Sequence, residues 1–264
     1  MNNLTFEDSW HHQLSLALGD QKIDCFFFVE DNFQLLRINH QFIIHLVNLK
    51  SSFIPKNLID LQEKHYQKGF KLIHLWEDLW LSKQDQVLAR IKSLLGINSR
   101  IHGRKTKILK ITKPVADSFL IKNHLQGAVT SRYKIGLFEK DQLVAVATFS
   151  ALRKMNHTEN YKSAELIRFA VKAGYSVTGG LSKLISFFAA TYQPNDIMTY
   201  ADRDWSAGEA YTKLGFVQTA VLEPQIYVLD ENLNRQLKKD DQALANDVFN
   251  TGSLKFILQF NESA

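Results

Sequence analysis

The chain holds one cysteine, Cys25, among 264 residues. It can therefore close no internal disulfide and offers no cysteine-based zinc site. Proline (4) and glycine (12) are both scarce, which argues against long flexible linkers. No apolar run approaches the roughly 20 residues that a membrane-spanning helix needs. The opening residues, Met-Asn-Asn-Leu-Thr-Phe-Glu-Asp, have neither a basic segment nor an apolar core, so they do not read as a secretory signal. The 9 histidines include no His-x-x-x-His spacing, and no metal is expected. What remains is 45% hydrophobic, 11% aromatic and 22% charged, the balance of a chain with an ordinary packed core. Together these features predict a soluble, reduced, cytoplasmic protein without membrane contact. A net charge of +5 admits a polyanionic partner such as DNA or RNA without requiring one.

Alternation predicts strands over Ile23–Glu30, Phe33–Ile38 and Phe42–Leu49, with turns at Asp31-Asn32 and Asn39-His40. A helix is expected over Leu58–Gln67 and a buried strand over Phe70–Trp76. A second helix carries Val87, Leu88, Ile91, Leu94 and Leu95, with Ser82 as its N-cap and Gly96 as its stop. From Arg100 to Lys113 every charged residue is basic, and a domain boundary is placed there. Beyond it the pattern predicts a helix at Val115–Asn123, strands at Lys134–Glu139, Leu143–Leu152 and Ser163–Val171, and a helix at Leu181–Thr191. A strand at Asp196–Tyr200, a helix at Ala207–Leu214, and strands at Val217–Leu222 and Gln225–Leu229 follow. Residues 231–246 read as charged and helical or loose. Val248–Asn250 and Leu254–Phe260 read as a closing hairpin around Thr251-Gly252. The fold class implied is α/β (α+β). It comprises an N-terminal α/β domain over residues 1–98, a basic connecting segment over 99–113, and a mixed-sheet domain with flanking helices over 114–264.

The most informative stretch runs from Glu165 to Lys183. A strand leads through Tyr175-Ser-Val-Thr-Gly-Gly-Leu-Ser-Lys183 into an apolar helix. Adjacent glycines at a helix start let backbone N–H groups approach a phosphate, and Lys183 would add a point charge. The plainer reading is a helix start with glycines for tight packing. Asp202 ends a strand ahead of a helix, a good position for a site carboxylate; an N-cap or an ion pair with Arg203 is the alternative. Glu165 and Arg168, three apart on one strand, are expected on opposite faces. One of them then faces a cleft or an ion pair with Asp202 or Arg153. Gln126 and Arg132 suggest a substrate-side loop. The patch with Arg100, Arg104, Lys105 and Lys107 would track a phosphate backbone. The alternative is a solvated edge strand protected by lysine.

Strand, glycine loop, helix, strand, then a helix ending Tyr211-Thr-Lys-Leu-Gly-Phe216, is an order that resembles the GNAT acyltransferase superfamily. That resemblance implies that Val177, Thr178, Gly179, Gly180 and Leu181 bind the pyrophosphate of acetyl-CoA or another acyl-CoA. It also implies that Tyr211 protonates the departing thiolate, with Asp202 and Glu165 as base or substrate clamp. One departure is that Ser176 stands near the position where the family carries Gln or Arg. His124-Leu-Gln-Gly127, Glu165-Leu-Ile-Arg-Phe169, Tyr200-Ala-Asp-Arg203 and Leu214-Gly-Phe216 resemble, more narrowly, the GNAT-like domain of phage and mobile-element proteins of the Mom type, over residues 115–260. In that group the domain often follows one related to very-short-patch-repair and restriction endonucleases, and Lys68–Trp80 resembles its tail. The Asp/Glu-x-Lys core of such nucleases has no clear match beyond Asp20-Gln-Lys22, with Asp24, Glu30 and Asp31 as further carboxylates. The N-terminal domain is thus expected to be a degenerate nuclease. The function expected is acyl transfer to a nucleic acid or other amine. The alternatives are a non-catalytic DNA-binding accessory protein and a divergent endonuclease, with Arg153, Arg168 and Arg203 on the substrate side.

Overall fold

A computed structural model of the chain describes residues 9–155, 159–238 and 247–260. In chain order its elements begin with α1 (Trp10–Asp20), β1 (Cys25–Glu30), β2 (Phe33–Ile38), β3 (Phe42–Val47), α2 (Pro55–Gln67), β4 (Lys71–Trp76), α3 (Glu77–Ser82) and α4 (Gln84–Leu94). There follow β5 (Ser99–His102), β6 (Lys107–Lys110), α5 (Lys113–Asn123), β7 (Tyr133–Glu139), β8 (Gln142–Phe149), β9 (Arg153–Lys154), β10 (Lys162–Val171) and β11 (Tyr175–Thr178). The chain ends with α6 (Gly180–Tyr192), β12 (Asp196–Asp202), α7 (Glu209–Thr212), β13 (Val217–Leu222), β14 (Ile226–Leu229), β15 (Arg235–Leu237), β16 (Val248–Phe249) and β17 (Ser253–Gln259). Two compact units divide the described residues. The first takes those within 1–88, 201–207 and 221–253; the second takes those within 89–200, 208–220 and 254–264.

The first unit is built on the sheet β1-β2-β3-β4. The first three strands form an antiparallel meander, and its turns put Asp31 and Asn39 in the left-handed region, which Asp and Asn tolerate best among non-glycine residues. β3 and β4 run parallel, so the chain crosses over through α2. All six residues of β3 are buried, five apolar side chains and His45, as befits a central strand covered on both faces. Leu35, Ile43, Leu61 and Leu72 pack on one another, and Val47, Leu58 and Trp76 pack with Val248 and Phe249. Each such side chain contributes about 1.5–3 kcal/mol by leaving water.

Helix α1 was not expected from the sequence. Ser9 caps it, its Oγ accepting from the His12 N–H at 3.3 Å, and Trp10, Leu14 and Leu18 bury one face at four-residue spacing. The polar and apolar residues interleaved there mask a helical stripe as short alternation. Ser82 is not an N-cap: its hydroxyl donates to the Asp78 carbonyl at 2.6 Å and closes α3 instead.

The second unit carries a large mixed sheet of eight strands, in the order β13-β17-β12-β10-β8-β7-β6 with β9 beside β10. Helix α5 lays Ala116, Phe119 and Leu120 on Val146 and Ala170, while Phe188 of α6 stacks on Phe149 at 3.9 Å. Val146 and Phe149 are three apart on β8, so the two helices cover opposite faces of the sheet. The expected closing hairpin is absent: β16 pairs with β14, and β17 inserts between β12 and β13. Thr251, buried and bonded to Asp204, carries the chain onward instead of turning it back. The helix expected at 207–214 is the single turn α7, bounded by Gly208 (φ +81°) and Gly215 (φ +86°). Part of the charged stretch forms β15, and residues 239–246 lie outside the described residues. Among the described residues no helix is long and apolar enough to cross a membrane.

Candidate active site

In the second unit, β11 ends in Gly179, which takes φ +72° and starts α6. No side chain caps that helix start, and a Cβ built on Gly179 would meet nothing within 4 Å. The turn is therefore open, with first-turn N–H groups and the positive end of the α6 dipole at its floor. Gly180 is closed by contrast, since a Cβ there would stand 2.7 Å from Val177 Cγ1. Thr178 is exposed, Val177 half-buried and Leu181 buried.

The basic segment lies beside this turn. β5 pairs in parallel with β11 and sets Arg100 opposite Ser176 and His102 opposite Thr178. Ile101 is buried between exposed Arg100 and His102, so strand alternation turns both basic residues outward. Arg104, Lys105 and Lys107 are exposed as well. Lys183 departs from expectation. Its ammonium donates to the Gly103 carbonyl at 3.0 Å and to the Thr106 carbonyl at 2.5 Å, so it ties down the 103–106 turn and is not an open charge for phosphate.

A second feature lies where β10 and β12 separate. They pair only over Ser163–Glu165 and Asp196–Met198. Beyond Glu165, β10 continues with β8, and its register shifts by a bulge between Leu166 and Arg168. Ser150 clasps the point of divergence, its N–H donating to the Glu165 carbonyl and its Oγ accepting from the Glu165 N–H, both at 2.9 Å. The bulge breaks the two-residue alternation, so Glu165 and Arg168 are not held on opposite faces as expected. Burial lowers the Arg168 pKa, while the Glu165 carboxylate and Tyr211 phenol work against that drop. Glu165 lies 3.9 Å from exposed Arg153. Arg168 Nη1 donates to the Ile167 carbonyl at 2.8 Å, and its buried Nε has no acceptor among the described residues.

Tyr211, half-buried on α7, packs its ring against Phe216 and Phe256, with centroids at 5.5 and 5.6 Å. Tyr200, to which the sequence assigns no role, stands near Glu165 as well. It stands on β12 two residues beyond Met198, the partner of Glu165; burial and the Glu165 charge both raise its phenol pKa. Strand alternation is the signal that would have found it. Gln126 is exposed in the turn after α5, and exposed Arg132 precedes β7 with its N–H on the Phe149 carbonyl.

Asp202 and Arg203 fall in the first unit, within a buried polar network. Asp202 Oδ1 accepts from the Asp204 N–H at 3.0 Å. Asp204 accepts from Thr251 N–H and Oγ1 at 2.8 and 2.7 Å, and burial with the Asp202 charge pushes its carboxyl up to about 7. Arg203 donates to the Thr251 carbonyl at 3.2 Å. Asp78, fully buried, holds Arg235 through two bonds of 2.7 and 2.9 Å, and Tyr227 is raised to about 12 chiefly by burial. Of the carboxylates considered for a nuclease, Asp20 and Asp24 are exposed, while Glu30 pairs with Lys64 at 2.7 Å. Among the described residues no three His, Cys, Asp or Glu side chains gather as a metal site.

No family model matches the sequence, and no curated protein matches it. Among the solved structures that resemble the fold are acetyltransferases. A GNAT family acetyltransferase from Elizabethkingia anophelis with acetyl-CoA bound is 12% identical, with a TM-score of 0.40 over 59% of this chain and 99% of its own. A Bacillus subtilis acetyltransferase in complex with CoA is 13% identical, with a TM-score of 0.41 over 60% and 100%. The ribosomal-protein-S18-alanine N-acetyltransferase from Escherichia coli is 14% identical, with a TM-score of 0.40 over 60% and 96%.

Proposed function

We propose that the second unit is an acyl-CoA-dependent N-acyltransferase of the GNAT type. The observation that supports this best is one sequence of events along the chain. β10 bulges and parts from β12 after three paired residues, and the next strand, β11, leads into an open glycine turn at a helix start. The parting strands leave room for an acyl group and an amine, and the turn suits a pyrophosphate. The residues fit such a cofactor: Gly179 is open, its helix start is uncapped, and Arg100 and His102 stand in register beside it. Val177, Thr178, Gly179, Gly180 and Leu181 would hold the pyrophosphate. Acyl-CoA, when bound, supplies a thioester whose sulfur is the leaving atom.

This chain's own groups then have defined tasks. Glu165 is the carboxylate that takes a proton from the attacking amine, and Tyr211 Oη is the donor for the departing thiolate. Asp202 was a further candidate for base or clamp. Its engagement with Asp204 favours Glu165 for that task. Calorimetric titration with acetyl-CoA and with CoA tests the reading. Micromolar binding is expected, and Gly179→Asp, whose side chain tolerates a left-handed backbone but sets a negative charge at the turn, should abolish it. No binding by the wild-type protein at millimolar cofactor overturns the reading.

A second reading is a DNA- or RNA-binding protein of phage or mobile-element origin, with a degenerate nuclease in the first unit. The exposed run Arg100, Arg104, Lys105 and Lys107 favours it. Filter binding across a salt series tests it: affinity that falls steeply with salt is expected from phosphate contacts, and a flat response counts against it.

A further inference from the structure

The basic segment and the glycine turn share a seam. Gly103 is buried and has a negative φ, so its backbone conformation does not itself require glycine. The space does. A Cβ built on Gly103 would stand 2.8 Å from the Thr178 carbonyl oxygen, 3.2 Å from the Gly179 carbonyl carbon and 3.3 Å from the Gly180 nitrogen. The 103–106 turn thus lies directly on the backbone that starts α6. The ladder between β5 and β11 runs up to this seam and ends with His102 opposite Thr178.

Lys183 closes the seam from the helix side. Its N–H donates to the Gly179 carbonyl at 3.0 Å, and its ammonium reaches back to the turn. An ammonium has three hydrogens, and three acceptors stand here. They are the Gly103 carbonyl at 3.0 Å, the Thr106 carbonyl at 2.5 Å and Thr106 Oγ1 at 3.4 Å. The Gly103 carbonyl also accepts from the Thr106 N–H and Oγ1 at 3.0 and 2.6 Å, which ties the turn to itself. Lys183 therefore joins both ends of the turn to α6. The backbone it presses on has two adjacent glycines, the residues with the most freedom to lose when a ligand orders them. A wall held against them removes that freedom beforehand, and a preorganised site binds more tightly.

We propose that Lys183 is a positioning residue. It holds the 103–106 turn on Thr178–Gly180 and so fixes the first-turn N–H groups of α6 for a phosphate that it does not touch. This rests on the acyltransferase reading and adds to it the residue that sets the affinity of the cofactor turn.

Calorimetric titration with acetyl-CoA of the wild-type protein, Lys183→Met, Gly103→Ala and the double variant tests this. Each single change should weaken binding by about tenfold, roughly the ordering of one backbone unit. The double variant should bind about as Lys183→Met does, because a turn already released can move off the added methyl group. A charge acting on the phosphate directly would instead make the two losses multiply. Unchanged affinity in Lys183→Met, or losses that multiply, overturns the proposal. The ligand-free protein gives a second readout. In 1H–15N spectra the Gly179 and Gly180 amide signals should shift in Lys183→Met, with those of Gly127 and Gly215 unmoved. Gly179 and Gly180 signals that stay in place also overturn it. Failure of the wild-type protein to bind acetyl-CoA would strike the acyltransferase reading. Inorganic pyrophosphate, titrated into the same four proteins, then decides this proposal by the same pattern of losses. No pyrophosphate binding by the wild-type protein at about 10 mM, on the order of ten times a millimolar Kd, overturns it.

Discussion

His45 and His74 meet Nδ1 to Nδ1 at 3.0 Å on adjacent parallel strands, with both rings fully buried. One Nδ1 must carry a hydrogen and the other must accept it, so the bond is lost once both rings are protonated, and burial makes even one charged ring costly. Burial lowers the His45 pKa to about 3 and, together with the neighbouring ring, lowers that of His74 well below the ordinary value. In the unfolded chain both titrate near about 6.5. The folded pKa lies below the unfolded one, and for a base the stability is therefore complete above about pH 6.5 and lost as pH falls. Asp204 works in the opposite sense, because its raised carboxyl favours the fold as pH drops.

The two contributions separate in a comparison with His45→Leu/His74→Leu. Between pH 6.5 and 4.5 the wild-type protein should lose about 1.4 kcal/mol per pH unit per histidine relative to the double variant. Urea unfolding of both proteins across that range measures it. Parallel pH profiles would remove the histidine pair as the cause.

Tyr211→Phe removes one hydroxyl from a ring that stays packed on Phe216 and Phe256. Turnover should fall about 10²- to 10⁴-fold, the usual reach of general acid catalysis, with acetyl-CoA affinity unchanged. Glu165→Gln should lower turnover by a similar factor, with the loss partly recovered at high pH where the amine is already neutral. Full activity in either variant takes that residue out of the mechanism.

Arg100 and Arg104 distinguish the two functional readings. If they neutralise cofactor phosphates beside Gly179, Arg100→Ala/Arg104→Ala should weaken acetyl-CoA binding by about tenfold or more and leave the binding of acetylated pantetheine, which lacks those phosphates, unaltered. If they track a nucleic acid, the same change should reduce the slope of log K against log salt by about 2. A variant with both properties intact assigns these arginines to the solvated surface.

Asp78 and Arg235 form a doubly bonded pair with the carboxylate fully buried. Asp78→Asn leaves the guanidinium without its countercharge in the interior, and a loss of about 3–5 kcal/mol is expected. Chemical denaturation reads it directly, and a change below about 1 kcal/mol would mean that water reaches Arg235.

The strands of the meander were legible because alternation and the Asp31 and Asn39 turns are local signals. The Gly179-Gly180 turn was legible for the same reason. The long-range features were not. Asp78, Asp204, Arg235 and Thr251 meet from four distant parts of the chain, and no spacing announces them. The bulge before Arg168 shifts one residue and with it the face of every side chain that follows, which strict alternation cannot foresee. Thr251-Gly252 carries a hairpin's turn chemistry, yet the partners of β16 and β17 lie elsewhere in the sequence. Lys183 sits where a phosphate charge would be useful, and only the carbonyls of Gly103 and Thr106 reveal its other employment.

The place of β17 between β12 and β13 also orders biosynthesis. β13 is complete about thirty residues before β17, its one neighbour in the sheet among the described residues, begins to be made. Until β17 arrives, β12 is a bare edge and β13 a loose ribbon. A sheet assembled before β17 is made would be open to other chains along that edge, and the protein's yield in the cell should depend on how quickly translation reaches β17.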